Sequence, residues 1–223
     1  MKDRMNSTSN HIIMKHKLIF AFFAATAILL GCTSKPTNND SFFVVMKDNK
    51  WGIIDQTGKF VVEPKFEELW NFDEGGLALA KSDGRWGYID KSGEFVIEPK
   101  FQFAKNFAKN GLAPARVNEN DPIGFIDRTG KYVIEPKFDK VGSFGDDGLA
   151  IVVVNGKQGF IDESGKIIIE PKYLYISNFD KNGVAYMKDG GLWGLIDIKG
   201  NVIVEPQFFR IKNEVYYLTP FSR

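Results

Sequence analysis

From Phe42 onward, apolar and polar residues alternate in short runs, and turn-forming residues break the runs at regular intervals. "WGIID" (Trp51–Asp55) and "FVVEP" (Phe60–Pro64) are rich in β-branched and aromatic residues and alternate in character, the period-two signature of strands. Between them, Asp55-Gln56-Thr57-Gly58 predicts a tight turn. An Asp at the first position accepts backbone N–H bonds, and a Gly at the fourth supplies positive φ. Pro64 has no N–H to give to a ladder, so it is expected to end the second strand. The pattern reads as a β-hairpin.

The hairpin is written five times. Aligned on Gly52, Gly87, Gly124, Gly159 and Gly194, the copies are spaced by 35, 37, 35 and 35 residues. The turn recurs at Asp90 to Gly93, Asp127 to Gly130, Asp162 to Gly165 and Asp197 to Gly200, and the proline at Pro99, Pro136, Pro171 and Pro206. A third strand follows in each unit, as in "GLALAK" (Gly76–Lys81) and "GVAYMK" (Gly183–Lys188). One such strand, "SFFVVMK", precedes the first copy, and "EVYYLTPF" follows the last. Phe66, Phe101, Phe138, Tyr173 and Phe208 recur after the proline, with Phe72, Phe107, Phe144 and Phe179 six residues further on. Rings at such fixed spacing are expected in the core between neighbouring units.

The phrase "KWGIIDQTGKFVVEPKF" resembles the WG repeat of many bacterial proteins, over about residues 42–221. Trp51, Trp86 and Trp193 hold the tryptophan position, and Ile123 and Gln158 replace it. The resemblance implies a repeat protein and no single activity. The expected fold is all-β: a tandem array of about five three-stranded units of about 35 residues, open or superhelical. The alternative is a small β-propeller. Three strands per unit fall short of a four-stranded blade, and the sixteen strands counted are one more than five equal units need, which favours the open array.

The first 31 residues are of another kind. "MKHKLIFAFFAATAILLGC" (Met14–Cys32) has a basic start, an apolar run from Leu18 to Leu30, and then Gly31-Cys32, which is the layout of a secretory signal. Its end resembles a bacterial lipobox, which implies lipidation of Cys32, the chain's one cysteine. Acyl chains on Cys32 would hold the protein to a membrane. Met14 reads as the true start, and residues 1–31 as a removed signal peptide. The polar stretch Thr33 to Ser41 completes a tether over residues 32–41, ahead of a β domain over 42–223. The expected location is the bacterial cell envelope. Thr33, standing where some bacteria place an inner-membrane retention Asp, leans the reading towards the outer membrane.

Charge and composition then narrow the function. The chain has 29 basic and 28 acidic side chains, without the basic field of a nucleic-acid binder. His11 and His16, the two histidines, leave with the signal segment. That excludes Ser-His-Asp and Cys-His nucleophiles and His-ligated zinc in the mature protein. The carboxylate pairs Asp55/Glu63, Asp90/Glu98, Asp127/Glu135, Asp162/Glu170 and Asp197/Glu205 occur in every unit, unlike a single active site, and each Asp already has a turn to cap. No catalytic residue, cofactor or metal is therefore expected. Aromatic residues that break the repeat, Trp70, Tyr175 and Tyr186, are the candidate binding anchors, since Trp and Tyr dominate contact energies. The expected function is a non-enzymatic, membrane-tethered module that binds a protein or polymer partner. The alternative is a lectin-like binder of envelope or dietary glycans.

Overall fold

The computed structural model describes residues 42–211, and every regular element among them is a β-strand. The signal segment, Cys32, the tether and the strand expected at "EVYYLTPF" lie outside the described residues.

The strands form five antiparallel meanders. Sheet 1 holds β1 (Phe42–Lys47), β2 (Lys50–Asp55) and β3 (Phe60–Phe66). Sheet 2 holds β4 (Glu68–Leu69), β5 (Ala78–Ser82), β6 (Arg85–Ile89) and β7 (Phe95–Phe101). Sheet 3 holds β8 (Phe103–Ala104), β9 (Ala113–Arg116), β10 (Ile123–Ile126) and β11 (Tyr132–Phe138). Sheet 4 holds β12 (Lys140–Val141), β13 (Leu149–Val154), β14 (Lys157–Asp162) and β15 (Ile167–Tyr173). Sheet 5 holds β16 (Tyr175–Ile176), β17 (Val184–Asp189), β18 (Leu192–Asp197) and β19 (Val202–Phe208).

The three-stranded expectation is thus corrected to four strands in sheets 2 to 5. The added strand has two residues, as in Glu68–Leu69, too few to show a period in sequence. Sheet and sequence repeat are also out of phase. The segment from Trp51 to Trp86 contributes β2 and β3 to sheet 1 and β4 and β5 to sheet 2. Each repeat therefore stitches two sheets together covalently.

The prolines do not end their strands, which is a second correction. Pro64 lies inside β3, and its counterparts lie inside β7, β11, β15 and β19. Trp51 faces Phe66 while Ile53 faces Val62, so two steps along β2 span four along β3. Pro64 sits in the resulting bulge, where a missing N–H costs no ladder bond. Gly52 lies opposite. A Cβ on Gly52 would come 2.6 Å from the Val62 carbonyl oxygen and 2.8 Å from the Pro64 nitrogen. Gly87, Gly124, Gly159 and Gly194 repeat this close approach, so the glycine of the repeated phrase is there to admit a bulged backbone.

Four apolar clusters join successive sheets. Between sheets 1 and 2, Ile53, Val62 and Phe66 pack on Leu69, Ala78, Ala80 and Ile89. Phe66, Phe101, Phe138 and Tyr173 are buried, and burying such a ring stabilises by about 1.5–3 kcal/mol. Phe208 corrects the expectation of a fifth core ring, because it is 47% exposed. No described sheet follows β19. The centre-strand rings stack on the loop phenylalanines of the next sheet: Tyr88 on Phe107 at 4.6 Å, Phe125 on Phe144 and Phe160 on Phe179 both at 4.8 Å. The outer faces of sheets 1 and 5 keep exposed apolar residues, including Phe43 and Met46 on the first and Phe208 on the last. The described strands therefore form an open tandem array.

Candidate interaction surface

The turns between the paired long strands are built alike. Asp55 Oδ1 accepts the Thr57 N–H at 2.8 Å, the Thr57 hydroxyl at 2.6 Å and the Lys59 N–H at 3.1 Å. Asp90, Asp127 and Asp162 make the same three bonds, while Asp197 takes N–H groups from Lys199 and Asn201 and the Asn201 amide. The side-chain hydroxyl bond holds the carboxyls of Asp55, Asp90, Asp127 and Asp162 below the ordinary range, and the Asn201 amide does so for Asp197. These carboxylates are occupied by their own turns, as a structural cap requires.

The turn glycines also face the preceding sheet. A Cβ on Gly93 would meet Val62 at 2.6 Å, one on Gly130 would meet Ile97 at 2.8 Å, and one on Gly165 would meet Ile134 at 2.9 Å. Lys100 Nζ donates to the Gly130 carbonyl at 3.3 Å, and Lys137 Nζ to that of Gly165 at 3.4 Å. The turn is thus both a reversal and a clasp on its neighbour.

The second turn position differs in every copy, and in one turn it reaches another sheet. Arg128 stands where the other copies have Gln56, Lys91, Glu163 and Ile198. Its two terminal nitrogens donate to Asp73 Oδ1 at 3.3 Å and to Oδ2 at 3.0 Å, a two-pronged pair that joins the β10–β11 turn to the loop after β4. The guanidinium lies 4.9 Å from the centre of the Phe107 ring. Gly75 leaves room for it, since a Cβ there would meet the guanidinium carbon.

Around this pair lies an open concavity of about 880 Å³. Its lining takes Phe72, Phe107 and Phe144 from three successive sheet loops, with Arg128, Lys109 and Asp146 among its charges. A second concavity of about 670 Å³ shares Lys109, Gly145 and Asp146 and adds Asp162 and Glu163. Lys109 and Asp146 form a 2.9 Å ion pair in which the hydrogen bond to Asp146 raises the lysine. Both partners are largely exposed, so the pair adds little stability and is free to exchange partners. The result is a charged rim of alternating sign over an aromatic floor. No group of His, Cys, Asp and Glu able to hold a metal occurs among the described residues.

The three candidate aromatics are not brought together into one site. Trp70 follows β4 and is 50% exposed, with its backbone N–H donating to the Leu79 carbonyl. Tyr175 and Tyr186 lie three sheets away, on β16 and β17. Tyr175 packs edge-on against Trp193 at 5.4 Å, which gives it a packing role, and Tyr186 is half-buried within its strand pairing. Sequence reasoning missed Arg128 and the loops around it. The second turn position differs in all five copies, so residue type there offered no signal.

Fold and surface define an all-β repeat protein whose units are stitched across neighbouring sheets. The WG containing repeat model matches residues 51–86, 86–120, 123–157, 159–193 and 193–213, and the chain belongs to that family. No curated protein matches it in sequence. Among solved structures, that of a eukaryotic initiation factor is similar over 76% of this chain and 53% of its own, at 14% identity and a TM-score of 0.50. Kluyveromyces lactis Hsv2p is similar over 74% and 60%, at 14% identity and 0.46. A protein of unknown function from Bacteroides caccae is similar over 73% and 70%, at 16% identity and 0.34. The chain spans little more than half the length of the first of these, and the likeness is one of fold.

Proposed function

We propose that the chain is a non-enzymatic, membrane-tethered module of the bacterial envelope that binds a protein or polymer through the loop end of sheets 2 to 4. The supporting observation is a coincidence of place. The concavity over Phe72, Phe107 and Phe144 is where Arg128 pairs with Asp73 across two sheets and where loops of successive sheets present charges of both signs. Each turn carboxylate is engaged by its own backbone, which leaves the surface suited to recognition rather than to proton transfer. Lipidation of Cys32, and through it an outer-membrane location, supplies the tether in this reading.

Crosslinking in the native envelope followed by purification of the tagged chain tests the reading. A stoichiometric protein partner, lost when Arg128 and Lys109 are replaced by alanine, is the expected result. Glycan capture that depends on Trp70 and not on Arg128 would replace it with the lectin reading, for which the half-exposed Trp70 is the motive.

A further inference from the structure

Among the described residues, sheet 1 lacks an element that every other sheet has. Sheets 2 to 5 begin with a two-residue strand supplied by the segment just after the preceding long strand, and sheet 1 begins directly at β1. In sheet 2 that strand pairs Glu68 with Lys81 and Leu69 with Ala80. Lys81 faces Trp86 as Met46 faces Trp51, so the matching positions on β1 are Met46 and Val45. Among the described residues, no short strand lies on their outer edge.

The other end of the array carries the matching piece. Leu69, Ala104, Val141 and Ile176 each stand three residues after the last residue of a long strand, and Ile211 stands three after Phe208. The position is apolar throughout. Val204 is the counterpart of Val62, Ile97, Ile134 and Ile169, which seat against the turn glycines of the following sheet. Gly58, the counterpart of those glycines in sheet 1, has nothing within 4 Å of where its Cβ would be. Both surfaces are open in the same chain: Phe43 is 51% exposed at one end and Phe209 91% at the other.

We infer that the protein associates head to tail with a second copy of itself, Arg210–Ile211 of one copy adding the missing outer strand to β1 of the next. In the junction Ile211 pairs with Val45, Arg210 with Met46, and Val204 seats on Gly58, repeating the register found between sheets 1 and 2. The contact is heterologous, so it propagates or closes into a ring of copies. It also gives tethered chains more than one binding surface per assembly, which raises avidity without new contacts. The inference does not depend on the partner-binding reading, because it concerns the two ends of the array and not the loop surface.

Mixed disulfide trapping tests it. One full-length copy carries Val45→Cys, a differently tagged copy carries Ile211→Cys, and the two are coexpressed and oxidised in cells. A mixed dimer is expected, absent when either chain is expressed alone or when Val61→Cys replaces the first substitution. Gly58→Asn keeps the positive φ at low cost but fills the seat of Val204, and is expected to lower the mixed-dimer yield several-fold at unchanged chain abundance. Absence of mixed dimer would overturn the inference. An internal link in a chain carrying both cysteines, with no mixed product, would overturn it in favour of self-closure.

Discussion

Arg128 grips Asp73 through both carboxylate oxygens, across 55 positions of sequence, and ties a turn of sheet 3 to a loop of sheet 2. Asp73 is 9% exposed in its side chain and Arg128 35%, so the pair lies between a surface bridge and a buried one. Removing the cation leaves a mostly buried carboxylate whose Oδ1 still accepts the Leu77 N–H at 3.1 Å. Arg128→Ala is therefore expected to destabilise by about 1–3 kcal/mol. Urea unfolding of Arg128→Ala against the parent chain measures it. Arg128→Lys recovers less than half of the loss, since a single ammonium does not reproduce the two-pronged geometry. Full recovery by lysine would show that charge alone is needed there.

The glycines of the repeated phrase differ in why they are glycine. A Cβ on Gly124 would lie 2.4 Å from the Ile134 carbonyl oxygen and 2.8 Å from the Pro136 nitrogen, both main-chain atoms that cannot step aside. Gly124→Ala is expected to cost about 3 kcal/mol or more, at the upper end of overpacking. Gly156, in the β13–β14 turn, has φ 72° and open space around it, so Gly156→Ala costs only about 1 kcal/mol of backbone strain. Thermal denaturation of the two variants should separate them by several degrees. Equal midpoints would remove the bulge as the reason for the repeated glycine.

These cases show what kind of information the sequence holds. Asp55 and Gly58 act on neighbours two to four residues away, so their turn was readable from the residues alone. Gly52 acts on a bulge ten to twelve residues away, and Pro64 was readable as a ladder breaker but not as the occupant of that bulge. The two-residue strands such as Glu68–Leu69 have no period to detect; they exist because the neighbouring strand offers an edge. The pairing of Arg128 with Asp73 depends on how sheets stack, which no local pattern encodes. Trp70 stood out because it broke the repeat, whereas Arg128 occupies a turn position that differs in every copy and so carries no signal.

The turn aspartates make stability depend on acid. Asp55, Asp90, Asp127, Asp162 and Asp197 all have folded-state values held below the ordinary one by hydrogen bonds. In the unfolded chain they take up protons near pH 3.9. The stability they contribute is therefore complete above that pH and is lost as pH falls through the lower folded-state values. The urea midpoint is expected to hold steady from neutral pH to about 5 and then to drop below about 4. Thr129→Val, which removes the hydroxyl bond to Asp127 while leaving its backbone bonds, keeps the start of the drop where it is and makes the drop shallower. A midpoint flat down to pH 3 would show that the unfolded chain holds these protons no more tightly than the turns do.

The tether is the remaining expectation that one substitution tests. Cys32 is the only cysteine in the chain and follows the apolar run Leu18 to Leu30 at Gly31. If it is acylated, cells fed an alkyne-bearing fatty acid will label the protein, and Cys32→Ser will abolish the label while leaving the repeat domain folded, because that domain has no cysteine to lose. Once residues 1–31 are removed, the same substitution should move the protein out of the membrane fraction, since acyl chains on Cys32 are its tether in this reading. Label retained by Cys32→Ser would place the acyl group elsewhere. Absence of label on the parent chain, with the protein still in the membrane fraction, would assign the tether to protein contacts, with the head-to-tail junction and the loop surface as the two places to look.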